Sequence, residues 1–383
     1  MSIAEVAGLQ AEKAGAGTMA EQARTLAGAF AGRSAAHDRS GSFVAENYAD
    51  LKKAGFFSAA VPAELGGGDA GLTQMCEAVR LLGQGCSSTA LAFSMHTHQV
   101  VIPAWRWRNQ PAARPVVEPL LKRVADGAIL LSSGGGDWIG GSGRAEKAEG
   151  GWRVHATKSF VSGAPAGDLL MTGVVSDEGV LHFALPMAAP EVQIRDTWDT
   201  LGMRGTGSQD VVIDGFFLAD DKVALKRKPG EWHLIFHITV ALALPLIYSA
   251  YLGVAESARD LALGLARKRV GSARQPALAG EMDTVLRSAQ MAHRHMLDAT
   301  QSLPPGPENA NEVMIGRQLV ERSVIRTVEL ALEVAQGVGF YRAAGLEQKF
   351  RDIQAARYHP MRREAQALYC GSMALGDPVD KIY

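Results

Sequence analysis

Residues 128–223 are the stretch that decides the fold of this chain. They include AILLSSGGGDW (128–138), GGWRVHATKSFVSG (150–163) and LGMRGTGSQDVVI (201–213). Short runs rich in Val, Ile, Phe and Trp alternate here with clusters of Gly, Asp and Ser, which is typical of a small antiparallel β-domain. Long segments with helical apolar periodicity lie on both sides. A β-domain between two helical blocks predicts that its loops face the helices across a cleft, where a planar ligand would fit.

The length of the chain, 383 residues, exceeds what one hydrophobic core usually serves. We predict a mostly helical α+β fold, divided into a leader at 1–17, an N-terminal helical domain at 18–127, a central antiparallel β-barrel-like domain at 128–225 and a C-terminal four-helix bundle at 226–383. The apolar run at 238–251 contains Pro245, where we expect a break in the helix, and is too short to span a bilayer.

Charge and cysteine content argue against several classes of function. A formal net charge of −1 gives no reason to expect a nucleic-acid partner. Cys76, Cys86 and Cys370 are widely spaced and form no metal-ligand pattern. His96 and His98 lie about 200° apart around a helix axis, so they cannot share one metal ion. Since the N-terminal residues also do not resemble a secretory signal, we expect a cytoplasmic protein with free thiols, no metal and no membrane association.

Glycine clusters precede the first long strand, at 134–136 and 140–141. They permit close approach of the backbone to a ligand and leave N–H groups accessible to phosphate or carbonyl oxygens. No Gly-x-Gly-x-x-Gly run opens a helix after a strand here, so this is not a dinucleotide fingerprint. An ordinary loop between hairpins is the alternative interpretation.

The order of several motifs resembles the acyl-CoA dehydrogenase superfamily over residues 20–375. The matching segments are, in chain order, GFF (55–57) with VP (61–62), ELGG (64–67), the helix at 87–94, KSFVSG (158–163), LGMR (201–204) running into VVI (211–213), GVGF (337–340) and FRD (350–352). Each motif is modest alone, but together they extend over nearly the whole chain.

This resemblance implies a flavin, normally FAD, between the β-domain and the C-terminal bundle. By position, Phe160 matches the aromatic residue that stacks near the isoalloxazine. Ser162 matches the hydroxyl residue that bonds flavin N5 and O4, and Val161 the adjacent backbone contact. Ser132 or Ser133 matches the hydroxyl contact at the pyrimidine edge. A hydroxyl near N5 and O4 is useful because it stabilises negative charge on the reduced ring.

The resemblance also implies contacts to the FAD pyrophosphate. Arg267 or Arg269 falls near the arginine of that site, and Gly337 and Gly339 fall in the turn that meets the FAD of a neighbouring subunit. Glu333 stands where the family motif has Gln, and Gln336 where it has Gly. These departures leave FMN possible instead of FAD. A homotetramer is implied by the same resemblance.

The catalytic carboxylate of the dehydrogenases is absent from its expected positions. In most members a Glu stands eight residues after the Asp of the Arg-Asp pair, and here RDIQAARYHP (351–360) places Pro360 there. In another branch the Glu lies on the first helix of the bundle. The matching residue is Ala243, followed by Leu244 in place of the usual arginine. An acyl-CoA dehydrogenase needs that base to remove the α-proton of its substrate.

His359 and Ser208 are the candidate catalytic residues. The offset of His359 and the RGTGS segment (204–208) resemble the flavin-dependent monooxygenases of the same fold, in which a histidine near this position assists the substrate or the oxygenated flavin. A histidine titrates near neutral pH and so suits acid–base work. Packing at a helix end is the alternative for His359, and a turn hydroxyl for Ser208. Ser94 and His96 are candidates for the substrate pocket, because the corresponding helix lines it in the family.

Three functions therefore remain open. The first is a dehydrogenase that oxidises the CH–CH bond of an acyl-CoA-like substrate and passes electrons to a partner. The second is a two-component monooxygenase that takes reduced flavin from a reductase and acts on an aromatic or heterocyclic small molecule. The third is a flavin-binding subunit without turnover. The full-length resemblance favours the first as a class, and His359 with the RGTGS segment favours the second.

Overall fold

The N-terminal domain is helical, as predicted. The structure, a computed structural model, describes residues 18–134, 140–268 and 274–380, so the predicted leader lies outside the described residues. The helices are α1 (Met19–Ser40), α2 (Ala45–Lys53), α3 (Leu72–Gly85), α4 (Ser87–Asn109) and α5 (Arg114–Ala125). Thr18 and Glu21 form a capping box that begins α1. Helix α4 is buried almost on all sides from Ser87 to Ala104, which confirms the predicted buried helix.

The central domain is one sheet of eight strands among the described residues. They are β1 (Leu130–Ser132), β2 (Arg144–Ala148), β3 (Gly151–Val161), β4 (Leu169–Ser176), β5 (Gly179–Pro186), β6 (Val192–Arg195), β7 (Gln209–Ala219) and β8 (Leu225–Arg227). The order is β6-β7-β3-β2-β4-β5-β8, and β1 pairs with β4. The sheet is open, because its end strands β6 and β8 do not pair with each other. It is also mixed, because β1 and β2 both run parallel to β4. The barrel-like, antiparallel prediction is corrected in these two respects.

The C-terminal domain contains three long helices followed by a divided segment. The long helices are α6 (Leu234–Ala266), α7 (Gln275–Ser302) and α8 (Pro307–Ala335). The predicted fourth helix is two pieces, α9 (Leu346–Ile353) and α10 (Arg363–Leu375), separated by a 3₁₀ turn at Gln354–Arg357 and an irregular stretch. His359, a candidate catalytic residue, lies on that irregular stretch. In a continuous helix, its direction would instead be fixed by the helical rotation.

Helix α6 continues through Pro245, and the expected break is wrong. A proline inside a helix removes the hydrogen bond to the carbonyl four residues earlier. Here that carbonyl belongs to Ala241, and it accepts a hydrogen bond from Thr300 Oγ1 on α7 at 2.8 Å. The neighbouring helix therefore offers Ala241 a donor in place of the one that proline removes, although the Thr300 hydroxyl also lies 2.8 Å from the carbonyl oxygen of Met296 in its own helix. Helix α6 is apolar and long enough to cross a membrane, but 94% of its most apolar window is buried inside the protein, where it forms the core of the bundle.

The Arg351–Asp352 pair joins all three domains. Arg351 donates to both carboxylate oxygens of Asp38 on α1, at 2.9 and 2.6 Å. Asp352 Oδ1 accepts a hydrogen bond from the backbone N–H of Met203, at 2.6 Å, in the loop between β6 and β7. Both side chains are engaged in holding the helices against the β-domain, which supports a structural role for this pair.

Gln336 has a strained backbone, with φ +53° and ψ −154° at the end of α8. This region is accessible almost only to glycine, and a side chain there costs about 1–3 kcal/mol. We expect Gln336→Gly to raise the free energy of unfolding by about 1 kcal/mol in urea denaturation. Gln318→Gly, within the regular part of α8, should instead lower it by about 1 kcal/mol. Equal losses in both variants would contradict the strain at Gln336.

Candidate functional site

An exposed aromatic residue, Phe160, marks the site on the β-domain. The pairing of β3 with β7 is irregular between Lys158 and Val161, and Phe160 has a φ of +60°. Such an irregularity turns a side chain away from the alternating pattern of the strand. Phe160 is consequently 64% exposed. Trp198 meets its ring edge-on, with centroids 6.1 Å apart. The two rings, called the platform below, are nearly perpendicular, and Phe160 is the more exposed of the two.

Ser162 and Ser208 lie together next to this platform. Their hydroxyl oxygens are 2.8 Å apart, although 46 residues separate them in sequence. Ser208 Oγ is also 2.7 Å from Thr206 Oγ1, and Thr206 donates to the carbonyl oxygen of Met203 at 2.9 Å. The three side chains form a continuous chain of hydroxyl groups, called the hydroxyl chain below. Thr206 is fully buried, and Ser162 and Ser208 are nearly so.

Gly134 brings the end of β1 against the platform. Its N–H donates to the carbonyl oxygen of Ser159 at 2.9 Å. A Cβ at this position would lie 2.9 Å from that oxygen and 3.2 Å from the Phe160 ring, so a side chain would force the two segments apart. Ser133 Oγ lies 3.1 Å from Thr172 Oγ1, and Ser132 donates to the Ser133 carbonyl at 3.2 Å. The first residue of the glycine cluster, Gly134, must therefore lack a side chain for β1 to approach Phe160 this closely.

A cavity of about 210 Å³ opens beside Ser132 and Ser133, between α4, the sheet and α6. Its walls are mostly apolar, with Phe236 and Ile102 among them. The polar groups on its walls include Gln99, Arg106, Ser133, Thr172 and Thr239. Arg106 is half-buried, donates from Nε to the side-chain oxygen of Gln110 at 3.1 Å and has no carboxylate partner within the described residues. Burial lowers its pKa, as expected for a charge held partly out of water.

The histidines of α4 differ in what they contact. His96 donates from Nε2 to the carbonyl oxygen of Phe57 at 2.8 Å and accepts at Nδ1 from the N–H of Leu130 at 2.9 Å. Both nitrogens are thus bound to backbone, and His96 joins α4 to β1. Ser94 is fully buried and donates to the carbonyl oxygen of Leu91. These contacts favour packing roles for both residues, and their place in a substrate pocket stays a prediction.

His98 is the histidine of α4 that contacts a residue of the cavity wall. Its Nε2 lies 2.9 Å from the side-chain amide of Gln99, a cavity residue, and its Nδ1 lies 3.1 Å from the carbonyl oxygen of Ser94. Burial lowers the pKa of His98 to about 4, so the ring is neutral at physiological pH. It can therefore orient Gln99 without placing a charge beside the cavity.

His359 forms a pair with Tyr251 of α6. The Tyr251 hydroxyl and His359 Nε2 are in hydrogen-bond contact, and the Tyr251 hydroxyl has no other acceptor within the described residues. We therefore assign Tyr251 as the donor and His359 Nε2 as the acceptor. The single N–H of the neutral imidazole ring is then at Nδ1. That nitrogen has no protein partner in the described ranges, and His359 keeps part of its surface accessible. Burial, Arg317 and His98 lower the pKa of His359 to about 3.

A buried ion pair holds the His359 segment in place. Arg317 of α8 donates to the carbonyl oxygen of His359 at 2.9 Å and pairs with Glu321. Arg317 and Glu321 are 0% and 1% exposed. Glu321 also pairs with Arg363 at 2.7 Å. Because its carboxylate is engaged by two arginines, Glu321 belongs to the support of the site rather than to its reactive surface.

Neither expected location of a catalytic carboxylate carries an acid. Position 360 is proline, and Ala243 is fully buried in the bundle core. Asp352 bonds the Met203 backbone, and burial raises its pKa, which disfavours its charged form. Among the described side chains of the site, His359 is thus the titratable group next to position 360, where the family carries its base.

The predicted pyrophosphate residues lie away from the platform. Arg267 caps the C-terminus of α6 and is exposed. Gly337 and Gly339 lie in the 3₁₀ turn at Gln336–Phe340, which packs on α8 and α9. Arg269 lies outside the described residues. A contact of these residues with the cofactor of a neighbouring subunit stays a prediction, as do the roles predicted for Val161 and Ser208.

Sequence reasoning missed four residues of the site: Trp198, Thr206, Tyr251 and Gln99. Trp198 stands in a short polar stretch, DTWDT (196–200), where an isolated tryptophan is unusual and was the available signal. Tyr251 looks like any other apolar residue of α6. Its role depends on a partner 108 residues away, which no local pattern reveals.

Comparison with known protein families gives two matches. The model of the acyl-CoA dehydrogenase N-terminal domain matches residues 17–121, and the model of the acyl-CoA dehydrogenase middle domain matches residues 133–216. The second match covers strands β2 to β6, the platform and the hydroxyl chain. The resemblance predicted from the motifs is therefore confirmed.

Individual relatives extend over most of the chain. L-evernosamine nitrososynthase of a Micromonospora species is 27% identical over 368 residues, covering 90% of this chain and 87% of its own. A putative acyl-CoA dehydrogenase of Bacillus subtilis, YdbM, is 26% identical, with 90% and 93% covered. The solved structure of KijD3 with FMN and a dTDP-linked 3-amino sugar has a TM-score of 0.86 at 24% identity, covering 95% of each chain. That last similarity concerns the fold.

Proposed function

This chain belongs to the acyl-CoA dehydrogenase superfamily, and within it we propose a flavin-dependent monooxygenase that receives reduced flavin from a separate reductase. The observation that carries the proposal is the His359–Tyr251 pair. A neutral imidazole with one nitrogen directed by Tyr251 and the other available to a ligand stands one residue before position 360, where a dehydrogenase has its Glu. The relatives that make nitroso compounds support it, since forming a nitroso group from an amine adds oxygen to nitrogen.

The platform and its neighbours fit a flavin. A planar tricyclic ring needs an aromatic surface, a hydroxyl at its polar edge and closely approaching backbone, and the site has these in Phe160, Ser162 and Gly134. Phe160 would stack against the ring and Ser162 would contact its N5 region. Ser132 or Ser133 would meet the pyrimidine edge. We propose FMN or FAD, and the departures at Glu333 and Gln336 weaken the case for a bound adenine half.

The low basicity of His359 supports the monooxygenase over the dehydrogenase. Removing the α-proton of an acyl thioester requires a base whose pKa lies near the operating pH. His359 has a pKa of about 3, because burial and the positive charge of Arg317 disfavour its protonated form. It is therefore a poor acceptor for a proton from carbon. As a neutral N–H donor, however, it can stabilise negative charge that develops on an oxygen atom during oxygen transfer.

The cavity indicates the kind of substrate. A volume of about 210 Å³ with mostly apolar walls suits a small ring compound rather than a long acyl chain. Arg106, half-buried without an ionic partner among the described residues, favours a substrate with a carboxylate or phosphate. Gln99, oriented by His98, would bind a polar group on the ring. We propose an aromatic, heterocyclic or amine substrate that carries an anionic group.

When bound, reduced flavin would supply two electrons to O₂, so that one oxygen atom enters the substrate and the other leaves as water. The protein contributes position and environment. With flavin bound, Phe160 and Trp198 would orient the ring plane, the apolar cavity walls would exclude water, and His359 would donate from Nδ1 toward the reacting oxygen. Tyr251 holds His359 in the required tautomer. A cytoplasmic location and a homotetramer are part of this proposal.

Oxygen-dependent turnover tests the function. Purified protein with chemically reduced FMN or FAD is mixed with air-saturated buffer and a panel comprising indole, indole-3-acetate and a dTDP-linked amino sugar. We expect a product that gains oxygen, identified by mass spectrometry, and ¹⁸O incorporation from ¹⁸O₂. The Arg106→Gln variant should lower kcat/KM for an anionic substrate about tenfold or more, whereas Arg108→Gln, which removes a surface charge, should not.

An acyl-CoA titration under anaerobic conditions is the opposing test. A dehydrogenase would bleach the absorbance of its oxidised flavin when butyryl-CoA or octanoyl-CoA is added, without a reductase. We expect no bleaching here. Bleaching would overturn the monooxygenase and restore the dehydrogenase. Flavin binding with neither bleaching nor oxygenated product across the panel would favour the subunit without turnover.

A further inference from the structure

The hydroxyl chain has a preferred direction. The Met203 carbonyl at its end also accepts hydrogen bonds from the Thr206 N–H and from Trp198 Nε1, both at 3.1 Å. When the Thr206 hydroxyl donates to the same oxygen, Ser208 must donate to Thr206 and Ser162 must donate to Ser208. Each hydroxyl has only one hydrogen. In this direction Ser162 presents only lone pairs to a ligand.

The opposite direction forms one hydrogen bond fewer inside the protein. Thr206 would then donate to Ser208, and Ser208 to Ser162, which frees the Ser162 hydrogen to point outward. The Met203 carbonyl would keep its two N–H donors, so this direction is accessible. It nevertheless forgoes the bond from Thr206 to Met203, and a net hydrogen bond of this kind corresponds to a factor of about five in an equilibrium constant.

We propose that the hydroxyl chain makes the site selective for reduced over oxidised flavin, with Ser208 and Thr206 as positioning residues that act through Ser162. This inference rests on the proposed flavin site. N5 of an oxidised flavin is a hydrogen-bond acceptor and needs a donor. N5 of a reduced flavin carries a hydrogen and needs an acceptor, which is what the preferred direction presents. Ser162 would then accept from the flavin, in place of the donor role that the family resemblance implies for it. A higher affinity for reduced than for oxidised flavin would help a protein that receives reduced flavin from a reductase and releases it oxidised.

The burial of the chain strengthens the directional effect. Thr206 is 0% exposed and Ser208 is 4% exposed, so water cannot readily replace a missing partner. Within the described residues, Ser208 contacts only the other two hydroxyls, and its proton must therefore point to one or the other. Orientation at the buried end is consequently transmitted to Ser162 at the ligand end.

Equilibrium binding of FMN in both redox states tests the proposal. The dissociation constant for oxidised FMN is measured by fluorescence quenching in air, and that for dithionite-reduced FMN by anaerobic titration. We expect the ratio of the oxidised to the reduced constant to fall about fivefold in Ser208→Ala and in Thr206→Val, because Ser162 then donates or accepts with equal ease. Thr97→Val is the matched control, since it removes a buried hydroxyl that donates to a helix carbonyl far from the chain.

The possible outcomes are distinct. An unchanged ratio in both variants, with each still folded by circular dichroism, would overturn the directional effect while leaving the flavin site intact. Equal weakening of both redox states would assign Ser208 and Thr206 a merely structural role and would also overturn it. Failure of the unmodified protein to bind FMN and FAD in either state would instead overturn the proposed function itself.

Discussion

Replacing Glu321 by Gln should lower the free energy of unfolding by about 3–5 kcal/mol, because it leaves the Arg317 charge buried without its principal partner. Arg317 is fully buried beneath the His359 segment, and its guanidinium lies 4.9 Å from the centre of the Tyr248 ring. Water cannot reach it to compensate. The measurement is urea denaturation followed by circular dichroism. An unchanged slope of the unfolding free energy against urea concentration would show that only stability has changed.

Two further variants separate the ion pair from a general loss of charge. Glu312→Gln removes a carboxylate that pairs with His295 on the surface, and we expect a change within about 0.5 kcal/mol. Replacing Arg317 by Met together with Glu321 by Leu removes both charges and should recover most of the stability. If Glu321→Gln lowered the free energy of unfolding as little as Glu312→Gln, the ion pair would contribute nothing to the fold. The proposal that it holds the His359 segment in place would then be wrong.

Replacing His359 by Ala should reduce kcat/KM for oxygenation by about 10²–10³-fold, the usual cost of removing one donor that stabilises charge in a transition state. Flavin binding should be unchanged, since His359 belongs to the bundle and the platform belongs to the β-domain. The measurement is product formed per reduced flavin consumed, using the substrate that the panel identifies, alongside FMN titration. Oxygen consumption without product should increase.

Tyr251→Phe provides the graded comparison. It keeps the imidazole but removes the donor that assigns the proton to Nδ1, so a smaller loss of about tenfold is expected. His295→Ala, at an exposed histidine, serves as the control. Full activity in His359→Ala would contradict the role of His359 on which the monooxygenase proposal depends. Equal losses in His359→Ala and Tyr251→Phe would show that the pair acts as one unit.

Local patterns in the sequence were sufficient for the order of helical and β-rich segments. Alternation of apolar and turn residues predicted the β-domain, and helical periodicity predicted its flanking helices, because both depend on residues within a few positions of one another. The same holds for the missing carboxylate, since Pro360 is visible in the sequence alone. Phe160 could be singled out by its motif, but its exposure required the strand irregularity seen at Lys158–Val161.

Contacts between distant residues were decided only by the tertiary structure. Helix α6 continues through Pro245, where Thr300, 59 residues from Ala241, offers the freed carbonyl a donor. Ser162 meets Ser208 across 46 residues, and Tyr251 meets His359 across 108. The mixed character of the sheet depends likewise on β1 and β2 running parallel to β4. A one-dimensional pattern records which face of an element is apolar, but a hydrogen-bond partner is chosen by three-dimensional packing, so the chemistry of this site emerges only when the chain is folded.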